Sequence, residues 1–182
     1  MRAVVDRFWM PAAAVIALAY LVVMLVTGAL PRHRHLIKFE AHGVMQLDPE
    51  RITRVSVTAD GTSTVFMRQT HGWVRDGSKE ALEDSLTKAL NLAVKFMHTA
   101  NPVREFKPED IADTDPAEFG LDRPQLSITL ADASGVVLEA DFGNNSGDGL
   151  LQYMRLKNRN DLFMMSGFVG KEWETVARGA KP

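Results

Sequence analysis

The chain contains no cysteine, which excludes disulfide scaffolds, cysteine-based zinc sites, iron–sulfur ligation and thiol nucleophiles. Glycine and proline are at ordinary levels, with 13 and 8 residues in 182, which excludes collagen-like and broadly disordered chains. Clustered positive charge is also lacking, since residues 39–182 hold 16 Lys/Arg against 22 Asp/Glu, a net charge of −6. Nucleic acid is therefore not an expected partner, because binding it requires clustered cations that neutralise phosphates.

One long apolar run lies near the N-terminus. No charged residue occurs over 8–30, and a helix of that length measures roughly 34 Å, enough for a hydrocarbon core of about 30 Å. Trp9 at one end and Arg32 and Arg34 at the other are residue types that anchor a span at the membrane interface. The run predicts a single-pass transmembrane helix. The predicted segments are a short tail (1–7), the transmembrane helix (8–30), a juxtamembrane linker (31–48) and a folded domain (49–178).

The predicted location is the bacterial inner membrane, with the C-terminal domain in the periplasm. Flanking charge does not determine the orientation, because Arg2 and Arg7 precede the run and three basic residues follow it by residue 38. A short tail, one span and a large C-terminal domain are instead typical of a signal anchor with its N-terminus inside. A cleaved signal peptide is the alternative, since small residues at 27–29 follow the apolar run.

The folded domain combines strand and helix patterns. Residues 53–58 alternate between apolar and polar and lead into the turn signal Asp60-Gly61, which predicts a β-hairpin. Apolar residues recur every three or four positions over 82–97, which predicts an amphipathic helix that begins near Lys79. Four further strand patterns precede a closing helix at 168–177. The predicted order is ββα-ββββα, an α+β fold with a largely antiparallel sheet and two packing helices on one face. A short extended segment is also expected at 103–106.

Several sequence motifs carry a resemblance to a known family. They are the run 47–52 before the first hairpin, Gly72-Trp73-Val74 before the helix, the run 118–124 before a strand, Gly135 in a turn, and Phe142-Gly143. Over residues 45–178 the chain resembles membrane-anchored bacterial proteins with a domain of unknown function. Their genes often lie beside gliding-type or export-type ABC transporter components. The resemblance supplies no catalytic residues, and it implies an auxiliary role in a membrane complex.

The motif residues predict structure rather than chemistry. In the run 118–124, Gly120 suits the end of a short helix at positive φ, Leu121 suits the core, and Pro124 suits the start of a strand. Phe119 and Asp122 complete the Phe-Gly-Leu-Asp-x-Pro motif. Trp73 is expected to be a core or rim aromatic residue rather than a ligand platform.

Candidate chemistry is sparse. His33, His35 and His42 form the one histidine cluster suited to zinc or copper, but histidines after an apolar span are also ordinary interfacial residues. The acidic residues at 110–118 lack the spacing of an EF-hand loop. No nucleophile elbow or phosphate-binding loop is present. We therefore expect no cofactor and no enzymatic activity.

The sequence as a whole predicts a non-catalytic single-span membrane protein that serves as an accessory or assembly subunit. Its expected partners are the lipid bilayer and integral membrane proteins of a larger complex. The expected contact regions are the span, an exposed sheet edge and the acidic segment 107–119. The alternative is a membrane-anchored periplasmic module that binds a ligand or a metal through the histidine cluster or a cleft near Trp73.

Overall fold

The computed structural model describes residues 2–26, 43–111, 114–157, 159 and 161–180, and among the side chains of the first helix those of Trp9 and residues 11–24. The chain divides into two compact units, 1–40 and 41–182. In its described part the first unit is one helix, α1 (Arg2–Val26), with Pro11 inside it.

The structure corrects the predicted membrane segment. Across the described residues, no helix combines the length and the apolar character that a bilayer crossing requires. The described helix is Arg2–Val26, and residues 27–30 of the predicted span lie outside the described residues. This finding overturns the transmembrane helix at 8–30, and with it the single-pass placement in the inner membrane.

The second unit is α+β. Its described elements are β1 (Arg54–Ala59), β2 (Thr62–Gln69), β3 (Gly72–Arg75), α2 (Asp84–Thr99), β4 (Arg104–Phe106), β5 (Leu126–Asp132), β6 (Gly135–Asn145), β7 (Leu151–Leu156), β8 (Leu162–Ser166) and α3 (Gly167–Ala180). The strands form one sheet of eight in the order β3-β2-β1-β5-β6-β7-β8-β4, and all neighbouring strands are antiparallel.

The predicted order ββα-ββββα is wrong, because the unit has two more strands. The first hairpin continues into β3, since Gly72 adopts a φ of 128° after a tight turn and the chain reverses there. The segment expected to be extended at 103–106 forms β4, which pairs with β8 at the far edge of the sheet. Local alternation of residues does not reveal either pairing.

Helix α2 begins later than its periodicity predicts. The residues before it follow the edge of β3 instead, where Ala81 forms a bridge with Val74 and the Leu82 N–H donates to the Trp73 carbonyl. From Asp84 onward the helix buries one face. Its buried side chains are Leu86, Ala89, Leu90, Ala93, Val94 and Met97.

The core lies between the two helices and one face of the sheet. Alternate strand residues supply it, because successive side chains of a strand point to opposite faces. Its largest fully buried side chains include Trp73, Trp173, Phe66 and Phe142. On the opposite face, β1 and β5 carry small polar side chains such as Ser56 and Thr129. The segment that precedes β5 covers the part of that face formed by β7 and β4, where Phe119 packs against Tyr153 and Phe106.

Residues 43–47 pack against the end of α2. The N–H groups of Gly43 and Met45 donate to the carbonyls of His98 and Met97, and the Met45 side chain is buried. The His98 ring nitrogen Nδ1 lies 3.0 Å from the Met45 carbonyl oxygen. A side chain at Gly43 would collide with the His98 backbone. This stretch, which the sequence placed in a linker, therefore contributes to the core of the second unit.

Candidate functional site

The Phe-Gly-Leu-Asp-x-Pro motif forms a compact turn on the sheet. A 3-10 turn, Pro116–Phe119, ends at Gly120, which has a φ of 69°. A residue with a Cβ is strained in this left-handed conformation, so glycine suits the position. Leu121 follows and is buried, whereas Asp122 is exposed and Pro124 is half-buried before β5.

The turn packs directly against Gly143, the glycine of a second motif. Gly143 lies where the pairing of β6 with β7 becomes irregular, and the Gln152 side-chain amide donates to its carbonyl at 3.1 Å. A Cβ at Gly143 would collide with the Phe119 carbonyl oxygen and would lie 3.1 Å from Leu121 side-chain carbons. Two of the motifs that carry the family resemblance, the run 118–124 and Phe142-Gly143, are therefore in direct contact.

A buried carboxylate connects three neighbouring strands below this turn. Asp141 on β6 accepts hydrogen bonds from the Ser127 hydroxyl at 2.6 Å and from Arg155 Nη2 at 3.1 Å, and Lys157 Nζ lies 3.2 Å away. The Asp141 side chain is 3% exposed, against 36% for Arg155 and 42% for Lys157. The same Arg155 nitrogen donates to the Leu121 carbonyl at 3.0 Å. Asp141 thereby orients the arginine that holds the motif.

The pKa of Asp141 lies below its ordinary value. Burial alone would raise this pKa, but hydrogen bonds from Ser127, Arg155 and Lys157 outweigh that effect. A carboxyl with a lowered pKa contributes stability in full above its unfolded pKa of about 3.9, and the contribution is lost as the pH falls through the folded pKa.

The substitution Asp141→Asn is expected to show this pH dependence. At pH 7 we expect it to lower the free energy of unfolding by about 1–3 kcal/mol, a range that allows for the exposure of both cations. As the pH falls below the unfolded pKa of about 3.9, the difference from wild type should shrink, because the unfolded wild-type chain takes up a proton at this carboxyl before the folded chain does. Urea unfolding at several pH values measures it, with the exposed Asp122→Asn as the control. A difference that stays constant down to pH 2 would contradict the assignment.

Three aromatic rings complete the motif contact. Phe119 lies 4.9 Å from Tyr153 and 6.4 Å from Phe106, measured between ring centroids. The Arg104 guanidinium lies 4.4 Å from the centre of the Phe106 ring. The motif therefore joins β4, β6 and β7, and its residues are occupied in holding the segment on the sheet.

Other residues singled out in the sequence also have structural partners. Trp73 is fully buried, its indole N–H donates to Asn91 Oδ1 at 2.8 Å, and the Arg68 guanidinium lies 4.7 Å from its ring centre. In the acidic segment, Asp110 and Asp115 accept hydrogen bonds from the backbone N–H groups of Lys107 and Ala117 and so cap short turns.

The predicted metal and anchor residues fall mostly outside the described chain. His33, His35 and His42 lie outside the described residues, as do Arg32 and Arg34. Trp9 is 72% exposed on α1. In the part of the chain that the structure describes, no group of three His, Cys, Asp or Glu residues could hold a metal ion.

A concavity lies where α2 begins and α3 ends. It has a volume of about 440 Å³ and includes Arg75, Glu80 and Glu83. Arg75 Nη2 donates to the Gly179 carbonyl at 3.0 Å, so this arginine holds the end of α3. The concavity mixes one structural cation with exposed acids, and its groups do not converge on a ligand position.

The sequence reasoning missed an exposed apolar surface where α2 meets α3. Leu92 is 40% exposed and Phe168 is 50% exposed, and Phe168 packs edge-on against the half-buried Phe96 with ring centroids 4.9 Å apart. Leu92 lies one turn before Phe96 on the same side of α2. We name these three residues the helix-pair patch. Leu92 is an apolar residue that lies outside the buried stripe of α2. An apolar residue at such a position is the sequence signal that could have indicated the patch.

Three lysines border the helix-pair patch. Lys88 and Lys95 lie four residues before and three residues after Leu92, and Lys171 lies three residues after Phe168, so each lies beside a patch residue on its own helix. All three are exposed. Within the described residues none of them forms an ion pair. The one acidic residue at the same spacing, Glu172, is partly buried.

Comparison with protein-family models, with curated proteins and with solved structures finds no match to the chain. The family resemblance based on the motifs therefore stays a prediction. The function is therefore inferred from the contacts and exposed surfaces of the α+β unit.

Proposed function

We propose that the α+β unit is a non-catalytic accessory or assembly module that binds another protein through the helix-pair patch. The observation that carries this proposal is the exposure of Leu92 and Phe168 beside Phe96. Contiguous apolar side chains within a polar rim are typical of protein interaction sites, and buried aromatic anchors contribute much of the binding energy in such sites.

The placement of the polar groups supports a binding role over a catalytic one. Among the described residues, the acidic groups with lowered pKa are Asp132, Asp141 and Asp148. Asp132 and Asp148 accept hydrogen bonds within their own turns, from Ser134 and Ser146 respectively. Asp141 is occupied by the network that holds the motif. These groups are engaged in structural contacts.

Site-specific photo-crosslinking in the native cells tests the proposal. A photoreactive amino acid replaces Leu92, which is exposed on the patch. A matched variant carries it at Val136, which is 57% exposed on the opposite face of the sheet. We expect a discrete crosslinked protein from position 92 at a yield about tenfold above that from position 136, because a half-exposed apolar side chain at an interface touches its partner directly.

Equal crosslinking from both positions, or none from position 92, would contradict the proposal. Circular dichroism of both variants shows whether the unit is folded. Both replaced side chains are exposed, so we expect the free energy of unfolding of each variant to lie within about 0.5 kcal/mol of the wild-type value.

A further inference from the structure

We propose that the helix-pair patch binds an amphipathic segment in which apolar residues are flanked by acidic ones, supplied by a different protein. This inference rests on the proposed function and names the chemistry of the partner. It follows from the charges around the patch, since Lys88, Lys95 and Lys171 are exposed and lack carboxylate partners among the described residues.

The charge of the lysine border is opposite in sign to the net charge of the whole unit. Residues 41–182 hold 16 Lys/Arg and 21 Asp/Glu, a net charge of −5. The patch border holds three lysines and the partly buried Glu172, a local net charge of +2. Opposite charges across an interface raise the association rate and select the partner. A partner of complementary charge is therefore acidic beside its apolar contact residues.

The same charges disfavour a symmetric pair of copies of this chain. In a two-fold symmetric dimer the patch of one copy faces the patch of the other, so the lysine borders of both copies meet. Like charges in such an arrangement repel. A helical segment of a different protein fits the patch better than a second copy does. An amphipathic helix can place its apolar residues at i, i+3, i+4 and i+7 against Leu92, Phe96 and Phe168.

Two synthetic peptides test the inference against the full-length chain. Both are 18-residue amphipathic peptides with leucine at positions i, i+3, i+4 and i+7. The remaining positions are glutamate in the acidic peptide and lysine in the basic peptide. Fluorescence anisotropy measures the Kd of each peptide at about 50 mM and about 300 mM salt. We expect the Kd of the acidic peptide to be lower than that of the basic peptide by about tenfold or more. This difference in Kd should be smaller at the higher salt concentration.

Two variants separate charge recognition from apolar contact. The double variant Lys95→Glu/Lys171→Glu should reverse the preference between the peptides, whereas Phe168→Ser should weaken both by about tenfold. If Phe168→Ser weakens binding and charge reversal has no effect, this inference is overturned while the proposed function stands. Absence of binding by the acidic peptide would also overturn it. So would self-association in sedimentation that Phe168→Ser abolishes, because the occupant would then be a second copy.

Discussion

Gly143→Ala is expected to destabilise the α+β unit by about 2–4 kcal/mol, because overpacking a tight site forces the backbone to move. The added Cβ would collide with the Phe119 carbonyl oxygen and press on Leu121. Displacement of this turn would also break the Arg155 hydrogen bond to Leu121 and separate Phe119 from Tyr153. Urea unfolding followed by circular dichroism measures the loss.

Gly147→Ala is the matched control in the next loop. Nothing lies within 4 Å of a Cβ at Gly147, and its φ lies outside the left-handed region. We expect it to change the free energy of unfolding by less than about 1 kcal/mol, and in the stabilising direction, because alanine restricts the unfolded chain. Equal losses for the two variants would show that the motif turn does not dock at Gly143.

Gly43→Ala is expected to lower the free energy of unfolding by about 2–3 kcal/mol. The Cβ would collide with the His98 backbone and displace the two hydrogen bonds that residues 43 and 45 donate to the end of α2. Hydrogen exchange should show faster exchange of the amides of Gly43 and Met45 in the variant.

The control for Gly43→Ala is Gln46→Ala. Gln46 is exposed and makes one side-chain hydrogen bond of 3.3 Å to the Gly43 carbonyl. Its removal should change stability by less than about 0.5 kcal/mol. Wild-type stability in Gly43→Ala would show that residues 43–47 lie outside the cooperative core.

Local sequence patterns predicted the elements that depend on neighbouring residues in the sequence. The hairpin of β1 and β2 carries its own turn signal at Asp60-Gly61, and α2 carries its own apolar period. Pairings between distant segments left no local signal. β4 pairs with β8 through Arg104 and Met164, and β1 lies beside β5 through Val57 and Ile128. A sequence pattern reports the face of a strand but not its neighbour in the sheet.

The candidate site divides in the same way. Gly120 and Leu121 could be interpreted from residue type, because glycine suits a positive φ and leucine suits a core. Their contact with Gly143 could not, since the two motifs are separated in sequence by a strand and a turn. The sequence predicted a closing helix over 168–177 but assigned no exposed position on it, whereas the structure shows that Phe168 packs beside Phe96 and is half exposed.

The most direct test of the central claim is the crosslinking yield from position 92 in a chain that also carries Phe168→Ser. Phe168 is half exposed, so its loss should cost only about 1 kcal/mol of stability. If the helix-pair patch is the binding surface, the unit stays folded and the crosslinked partner is lost. An unchanged yield from a folded variant would contradict the claim.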